Sequence, residues 1–255
     1  MMAKDGYKDV RIGPKKKKIP KNWDHNKLGR LVNKTKGKRP NRLYEDQQKS
    51  SIPYLSVDFL RGNDKPRWCS KDDCNKVEVD DQSILMIWDG SYSGNVFKGI
   101  EGALSSTMAK LKSKDKIIND YLYYQLISNF DIFQSTTIGT SVPHVATKVF
   151  ENLNIPLPPY YEQKKIASIL SSVDKAIEKT DEVIEETKQL KKGLMQELLT
   201  KGIGHDEFKD SQFGKIPQSW KIEPLSKIAE VTGGNTPRRS TEEYWGGDIP
   251  WLTPS

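Results

Sequence analysis

Apolar and polar positions alternate with a helical period over the longest unbroken segment of the chain. Residues 162–200 contain no proline and a single glycine, Gly193. Apolar or small residues recur there at alternating steps of three and four, which is a heptad pattern. They are Ile166, Ile169, Val173, Ala176, Thr180, Val183, Thr187, Leu190 and Leu194. The pattern predicts a long helix whose single apolar stripe, the seam, pairs with another helix.

Short strand and helix signals precede this helix. Residues 84–88 are a continuous apolar run ending in Asp89 and Gly90, which predicts a buried strand that enters a turn. Residues 120–133 predict an amphipathic helix. Its apolar positions are Leu122, Leu126, Ile127 and Phe130. The sequence therefore predicts an α+β fold class, with one mixed α/β domain followed by a long coiled-coil helix.

An internal repeat links the two ends of the chain. Ile-Pro-Lys-Asn-Trp at residues 19–23 recurs as Ile-Pro-Gln-Ser-Trp at residues 216–220, an offset of 197 residues. The same offset relates Leu28 to Leu225, Leu31 to Ile228, and the Ile-Pro-aromatic-Leu motif at 52–55 to that at 249–252. Upstream, Gly13 aligns with Gly214 if residues 14–17 are an insertion. The chain thus contains one module and the opening of a second. We expect packing roles for the tryptophans near these starts, Trp23, Trp220, Trp245 and Trp251.

Positive charge is concentrated in the N-terminal part of the chain. Residues 1–49 contain 16 Lys and Arg against 5 Asp and Glu, whereas the whole chain has a net charge of +7. Such a segment can neutralise nucleic-acid phosphates with little dependence on sequence. A run such as the lysines at 15–18 is also typical of a solvated tail, so charge alone leaves both interpretations open.

Composition argues against a membrane or metal-binding protein. The sequence has no apolar run of bilayer length and no signal-peptide pattern, so we expect a cytoplasmic protein. Cys69 and Cys74 lie close together, but the three histidines are scattered and supply no further ligands at zinc spacing. We therefore expect two reduced thiols and no metal site.

Several motifs resemble the specificity (S) subunits of type I restriction-modification systems. Leu-Asn-Ile-Pro-Leu-Pro-Pro at 153–159, then Glu-Gln-Lys-Lys-Ile-Ala at 162–167 and the heptad helix, resemble the family's spacer region. Gly-Thr-Ser-Val-Pro-His-Val at 139–145 resembles the segment that closes a recognition domain. Gly-Lys-Ile-Pro-Gln-Ser-Trp at 214–220 and Gly-Gly-Asn-Thr-Pro at 233–237 resemble the opening of the next domain. Relative to the family, the second domain is cut short and its spacer helix is missing.

The resemblance implies a DNA-binding chain without catalytic residues of its own. In the family, each recognition domain reads one half of a split double-stranded DNA target, and spacer helices set the distance between the halves. Helical regions dock the adenine methyltransferase (modification) subunits, and a restriction subunit can join the assembly. No cofactor is expected in this chain, since S-adenosylmethionine, ATP and Mg²⁺ would be bound by the partner subunits. Without the second spacer helix, we also expect a self-dimer through the seam.

This resemblance divides the chain into five parts. They are a basic lead-in (1–22), a first target-recognition domain (23–155), a spacer region with the coiled-coil helix (156–201), a linker (202–214) and an incomplete second recognition domain (215–255).

Candidates for DNA contact are basic and polar side chains on predicted loops. Phosphates are bound by Lys and Arg, and base edges by Arg, Lys, Asn, Gln, Ser and Thr. The candidates are Lys36, Lys38, Arg39, Arg42, Arg61, Lys65, Arg67, Ser91, Tyr92, Ser93, Thr137, Thr140, Ser141 and His144. For each of them taken singly, a solvated surface residue remains the alternative, and His144 beside Pro143 also fits a structural role.

Two other functions fit parts of the sequence. Pro-Pro-Tyr at 158–160 resembles the end of the Asn-Pro-Pro-Tyr motif of amino-methyltransferases, but Leu157 stands at the position of the amide and cannot hydrogen-bond an amino group. A glycine-rich cofactor loop after a predicted strand is also lacking. A structural coiled-coil protein is the second alternative, and the basic N-terminal module and the repeat argue against it.

Overall fold

The computed structural model of the protein describes residues 6–73, 78–139 and 142–252. The chain divides into two compact units, Met1–Thr180 and Asp181–Ser255. In the described part of the chain, no helix is both long enough and apolar enough to cross a membrane.

Strands and short helices alternate in the first unit. Its strands are β1 (Tyr7–Ile12), β2 (Lys15–Pro20), β3 (Asp24–Lys27), β4 (Val32–Lys36), β5 (Ser51–Leu55), β6 (Arg67–Ser70), β7 (Glu78–Val79), β8 (Ile84–Ile87), β9 (Val96–Lys98), β10 (Gly102–Leu104), β11 (Met108–Ser113) and β12 (Asn154–Leu157). Its helices are α1 (Leu28–Leu31), α2 (Val57–Leu60), α3 (Asn119–Ser128), α4 (Phe130–Ser135) and α5 (Thr147–Asn152). The long helix α6 (Tyr160–Lys201) begins in this unit, and β13 (Phe208–Ser211), β14 (Gly214–Pro217) and α7 (Leu225–Ile228) follow it.

Two four-stranded sheets form the framework of the first unit, with strand orders β6-β5-β10-β7 and β4-β11-β8-β9. Strand β8 lies inside the second sheet, antiparallel to β11 and β9. Ile84 and Met86 pack in the main core, whereas Leu85 and Ile87 pack in a second cluster, because successive strand side chains point to opposite faces. The predicted buried strand is confirmed, and burial on both faces explains its unbroken apolar run.

The helix predicted at residues 120–133 is two helices rather than one. Helix α3 ends at Ser128 and α4 begins at Phe130. Asn129 between them is buried, and its side-chain amide donates a hydrogen bond to the carbonyl of Gln125 at 2.7 Å. A side chain that bonds to the preceding turn competes with the backbone bonds that would continue the helix. The prediction of one unbroken helix was therefore wrong.

The apolar face of α3 also differs from the prediction at one position. Leu122 and Leu126 are fully buried in the main core, as predicted. Ile127, however, is 45% exposed. Helix α3 ends one residue later, at Ser128, so Ile127 lies in its exposed last turn.

The basic lead-in is a β-hairpin rather than a solvated tail. Strands β1 and β2 are antiparallel, with Tyr7 opposite Pro20 and Ile12 opposite Lys15. An isolated two-stranded hairpin is marginally stable in water. This one is anchored because Val10, Ile12 and Ile19 are buried in the main core.

Cys69 does not fit the expectation of two reduced thiols. Cys69 is buried on β6 and is disulfide-bonded, so the prediction was wrong for this residue, whereas Cys74 lies outside the described residues. Over residues 6–73, 78–139 and 142–252, no three His, Cys, Asp or Glu side chains are arranged to hold a metal ion.

The second unit contains the repeated module opening. Strands β13 and β14 form a hairpin with Phe208 opposite Pro217. Trp220 is half-buried against the ring of His205, with a centroid distance of 6.3 Å. Trp245 and Trp251 contact each other edge to face at 5.3 Å but remain exposed. The expected packing role therefore holds for Trp220, whereas Trp245 and Trp251 contact each other without being buried in a core.

Candidate nucleic-acid interface

The turn after β8 lies beside the segment that precedes α5. Asp89 and His144 form an antiparallel bridge. The amide of Gly90 donates to the carbonyl of Pro143 at 2.7 Å, and the amide of Val145 donates to the carbonyl of Trp88 at 2.9 Å. The sequence pointed to these two segments separately, and the structure joins them into one surface.

Lys36, at the end of β4, reaches the same surface. Its ammonium group lies 2.7 Å from the carboxylate of Asp89, and the lysine side chain is 51% exposed. An ion pair at this exposure contributes under about 1 kcal/mol to stability. The pair therefore does little for the fold, and the lysine can exchange Asp89 for a phosphate oxygen at small cost.

Arg61, after α2, stacks on the turn that follows β8. Its guanidinium carbon lies 3.5 Å from the ring centroid of Tyr92. Both side chains are exposed. Stacking holds the guanidinium flat against the ring, and leaves its N–H donors at the edge, where they can bind a base or a phosphate. The recognition face is defined here as Lys36, Arg61, Ser91, Tyr92 and His144.

Glycines shape the turn that carries Ser91 and Tyr92. Gly90 and Gly94 have positive φ angles of 106° and 98°, a region that side chains with a Cβ rarely adopt. A Cβ at Gly94 would also lie 2.9 Å from Phe133. The turn therefore packs closely on α4 and presents residues 91–92 from a fixed base.

The other basic candidates form a second group around β6. Lys38, Arg39 and Arg42 lie between β4 and β5, and Lys65 and Arg67 lie just before and at the start of β6. The backbone amide of Arg42 donates to the carboxylate of Asp73 at 3.0 Å, and its guanidinium lies 4.9 Å from the ring of Tyr44. Tyr44 is bridged to Trp68, the neighbour of Arg67. Of these five basic side chains, that of Arg67 is half-buried and the other four are exposed.

Ser93 is not available to contact DNA. Its side chain is buried at 1% exposure, and its carbonyl accepts a hydrogen bond from the amide of Gln134 at 2.5 Å, so it holds the turn on α4. Thr137 is half-buried, and its hydroxyl donates to the carbonyl of Gln134 at 3.2 Å. Thr140 and Ser141 lie outside the described residues.

Lys34 was missed by the sequence reasoning. Its ammonium lies 4.0 Å from the ring centroid of Trp88 and 5.8 Å from that of Phe150. Burial lowers the pKa of Lys34, although the nearby Glu151 acts in the opposite direction. Lys34 and Glu151 line a cavity of about 510 Å³. The sequence did contain a signal for Lys34. Lys34 lies two residues before the candidate Lys36 on the same strand, and residues two apart on a strand point to the same side.

A buried glutamine anchors the first turn of α6. The side-chain carbonyl of Gln163 accepts a hydrogen bond from the amide of Ile118 at 3.0 Å. Its amide donates to the carbonyls of Lys116 and Pro158 at 3.2 and 3.0 Å. Gln163 is 2% exposed. A buried amide with these partners holds the helix in one orientation, because any rotation would leave polar groups without partners.

Two further contacts reinforce this anchor. The indole N–H of Trp23 donates to the carboxylate of Glu162 at 3.1 Å. About three helical turns further along α6, the hydroxyl of Tyr124 donates to the carboxylate of Asp174 at 2.5 Å. Burial, together with the Asp174 carboxylate, raises the pKa of Tyr124, so the hydroxyl retains its proton and remains a donor to Asp174.

A protein-family model covers most of these elements. The model for the type I restriction modification DNA specificity domain matches residues 20–189. The chain belongs to this family. The match runs from β2 through both sheets and into α6, and so includes the recognition face and the helix anchor.

Curated relatives support the same family. The type I restriction enzyme MjaVIII specificity subunit of Methanocaldococcus jannaschii is 39% identical over 219 residues, covering 85% of this chain and 51% of the relative. The putative MjaX specificity subunit of the same organism is 35% identical over 154 residues, covering 55% of this chain and 34% of the relative. This specificity-family chain thus spans about half the length of the first relative and a third of the second.

Solved structures share the fold. An S subunit of a type I restriction-modification system from M. genitalium superposes with a TM-score of 0.51 at 22% identity, covering 69% of this chain and 46% of that one. A chain from a study of complex assembly and conformational transition of the type I R-M system gives a TM-score of 0.53 at 19% identity, covering 70% and 46%. Both support the architecture of a mixed α/β domain followed by a long helix.

The seam of this specificity-family chain is largely exposed on α6. Ile166 packs partly against the main core, but Ile169, Val173, Val183, Leu190 and Leu194 are exposed. Thr180 and Thr187 donate their hydroxyls to the helix carbonyls of Ala176 and Val183, so their polar groups are satisfied within the helix. Ile177 and Ile184 are also exposed beside the seam, and the heptad assignment missed them.

Proposed function

We propose that the chain is a DNA-binding specificity component of a type I restriction-modification complex that reads one half of a target through the recognition face. The observation that carries the proposal is that three separate candidate residues all contact the turn that follows β8. Lys36 contacts Asp89, Arg61 stacks on Tyr92, and His144 is bridged to Asp89. Exposed basic and polar groups on a rigid turn are what base and phosphate contact requires.

The partners follow from the family and from α6. We propose that the helix docks an adenine methyltransferase (modification) subunit and that a restriction subunit joins the complex. On this view S-adenosylmethionine, ATP and Mg²⁺ are bound by those subunits, and this chain contributes target choice alone. The hydrogen bonds of Gln163 support the proposal, because they hold the start of α6 in one orientation relative to the segment that precedes α3. These residues all lie in the first unit.

Methylation mapping tests the proposal directly. DNA from cells carrying the chain with its modification subunit should be methylated at one defined target. The double change Arg61→Ala with Tyr92→Ala should abolish methylation or relax the preference at particular base positions, by about 1–3 kcal/mol for each lost base contact. The exposed Arg239→Ala is the matched control and should leave the target unchanged. An unchanged target in the double variant would remove the recognition face from base reading.

A structural coiled-coil scaffold is the rival function, and DNA binding separates the two. Purified chain mixed with its modification subunit should shift duplex DNA carrying the mapped target more strongly than unrelated duplex. A scaffold would give no such difference, and incorporation of labelled methyl groups by the pure chain would contradict a non-catalytic role.

We also propose that α6 pairs with the α6 of a second copy. The exposed seam supports this, since a two-fold axis lets one apolar stripe cover itself. Two identical recognition halves would then read an inverted repeat. Val173→Glu with Val183→Glu should give folded monomers by light scattering at micromolar concentration. Ser168→Glu with Gln189→Glu, which adds two carboxylates at exposed positions away from the seam, should leave the dimer intact, and a monomeric wild type would contradict the proposal.

A further inference from the structure

The hairpin β1–β2 and the hairpin β13–β14 are two versions of one element. Four pairs match in register: Tyr7 opposite Pro20 corresponds to Phe208 opposite Pro217, and Val10 opposite Lys17 corresponds to Ser211 opposite Gly214. The strand registers therefore place Gly214 at the position of Lys17, which corrects the alignment of Gly214 with Gly13. The first hairpin continues for two further pairs before it turns.

The extension of the first hairpin is basic. Residues 7–20 contain six basic residues and one acidic residue, whereas residues 208–217 contain two basic residues and one acidic residue. Three of the additional charges, Arg11, Lys15 and Lys16, belong to the two extra pairs. Lys17 stands where the second hairpin has glycine. Three of the four additional basic residues thus come from the part that the second hairpin lacks, and the fourth comes from the exchange of glycine for lysine.

The extension is fixed on the first unit. Ile12 is buried at 2% exposure, and the carbonyl of Arg11 accepts a hydrogen bond from the side chain of Asn154 at 2.8 Å. Gly13 has a φ of 56°, and a Cβ there would lie 2.7 Å from Ile132 of α4. The turn of the hairpin therefore rests directly on α4, and its charges are held in place rather than carried on a tail.

The lysines on this ribbon are available to a ligand. The side chains at 15–18 are exposed, and within the described residues none of them takes part in a hydrogen bond or an ion pair. At about 3.3 Å per strand residue, alternate lysines on one side lie about 7 Å apart, close to the spacing of successive phosphates along a DNA strand. Arg11 and Lys148 also line one groove of about 500 Å³ beside the turn, together with Thr136 at the end of α4.

We propose that the β1–β2 hairpin is a phosphate-binding ribbon that grips duplex DNA next to the half target, without reading its sequence. Duplex DNA is the ligand that the position favours, because α4 supports both the turn of this hairpin, through Ile132, and the turn of the recognition face, through Phe133. The inference rests on the proposed DNA-binding function but assigns a separate surface to it.

The experiment measures duplex binding by the full chain with its modification subunit over a range of salt concentrations. Changing Lys15, Lys16, Lys17 and Lys18 together to Gln should weaken binding to target and unrelated duplex equally, and reduce the slope of log K against log salt by up to about 3.6 units. The same four positions changed to Arg should retain the slope. Lys209→Gln with Lys215→Gln, on the second hairpin, is the matched control and should change little.

The outcomes separate this inference from the proposed function. An unchanged slope and affinity in the Gln variant would overturn the ribbon, even if the recognition face reads the target. Unchanged DNA binding with weaker association of the modification subunit would also overturn it, and would identify an acidic protein surface as the ligand. If the wild-type complex shows no target preference but the ribbon variant still loses its salt slope, the proposed recognition fails while the ribbon stands.

Discussion

The two copies of the internal repeat adopt the same local structure but differ in burial. Leu28 and Leu31 lie on the one-turn helix α1, and Leu225 and Ile228 lie on the one-turn helix α7 at the same offset. The first pair is 0% and 1% exposed, whereas the second pair is 63% and 69% exposed. The comparison shows that a short motif specifies its own turn, and that burial requires partners distant in sequence.

The aromatic part of the repeat shows the same difference. Tyr54 and Leu55 lie on β5, which pairs with β6 and β10, and both are buried. Their counterparts Trp251 and Leu252 are 48% and 87% exposed and lie outside any strand. An Ile-Pro-aromatic-Leu sequence therefore becomes a strand only where neighbouring strands satisfy its backbone groups.

The largest effect on stability is expected for Leu28, the buried member of the pair Leu28 and Leu225. Leu28→Ala should lower the free energy of unfolding by about 2–5 kcal/mol, because it leaves a cavity in the main core. The matched Leu225→Ala should change it by less than about 0.5 kcal/mol. Urea unfolding of the full chain, followed by near-ultraviolet circular dichroism, measures both. Equal effects would mean that the second copy is buried in solution.

A smaller effect is expected at the start of α6. Gln163→Leu removes the partners of the Ile118 amide and of two carbonyls, and should destabilise the first unit by about 1–3 kcal/mol. Gln189→Leu, at an exposed position of the same helix, should be nearly neutral. Gln163→Glu retains the acceptor for Ile118 but buries a carboxylate oxygen against the carbonyls of Lys116 and Pro158, and should cost at least as much as Gln163→Leu at neutral pH. A neutral Gln163→Leu would show that hydrogen bonding does not anchor the helix.

The smallest effect on stability is expected at Trp23 and Trp220, the two tryptophans that the repeat relates. Trp23→Phe removes the hydrogen bond to Glu162 and should cost about 1 kcal/mol of stability. Trp220→Phe preserves an aromatic contact with His205 and should cost less. Thermal unfolding of both variants measures the difference. A more costly Trp220→Phe would contradict the expectation that the hydrogen bond from Trp23 to Glu162 contributes more than the contact of Trp220 with His205.

Much of the architecture could be predicted from the sequence because its signals are local. The heptad period specified α6, and the apolar run at 84–88 specified β8. The repeat related the residues of α1 to those of α7, although it did not predict that either segment is helical. The break at Asn129 could not be read from the period, because it depends on a side chain bonding back to its own helix.

The sequence by itself determined which residues carry charge, that residues 162–200 form one long helix, and which family the chain resembles. The tertiary structure alone decided which candidates meet. Lys36 and Asp89 are 53 residues apart yet lie in contact, while Ser93, next to Tyr92, is buried and withdrawn from the surface. Side-chain exposure and convergence depend on how the sheets and α4 pack, and such packing contacts join residues whose separation leaves no periodic trace in the sequence.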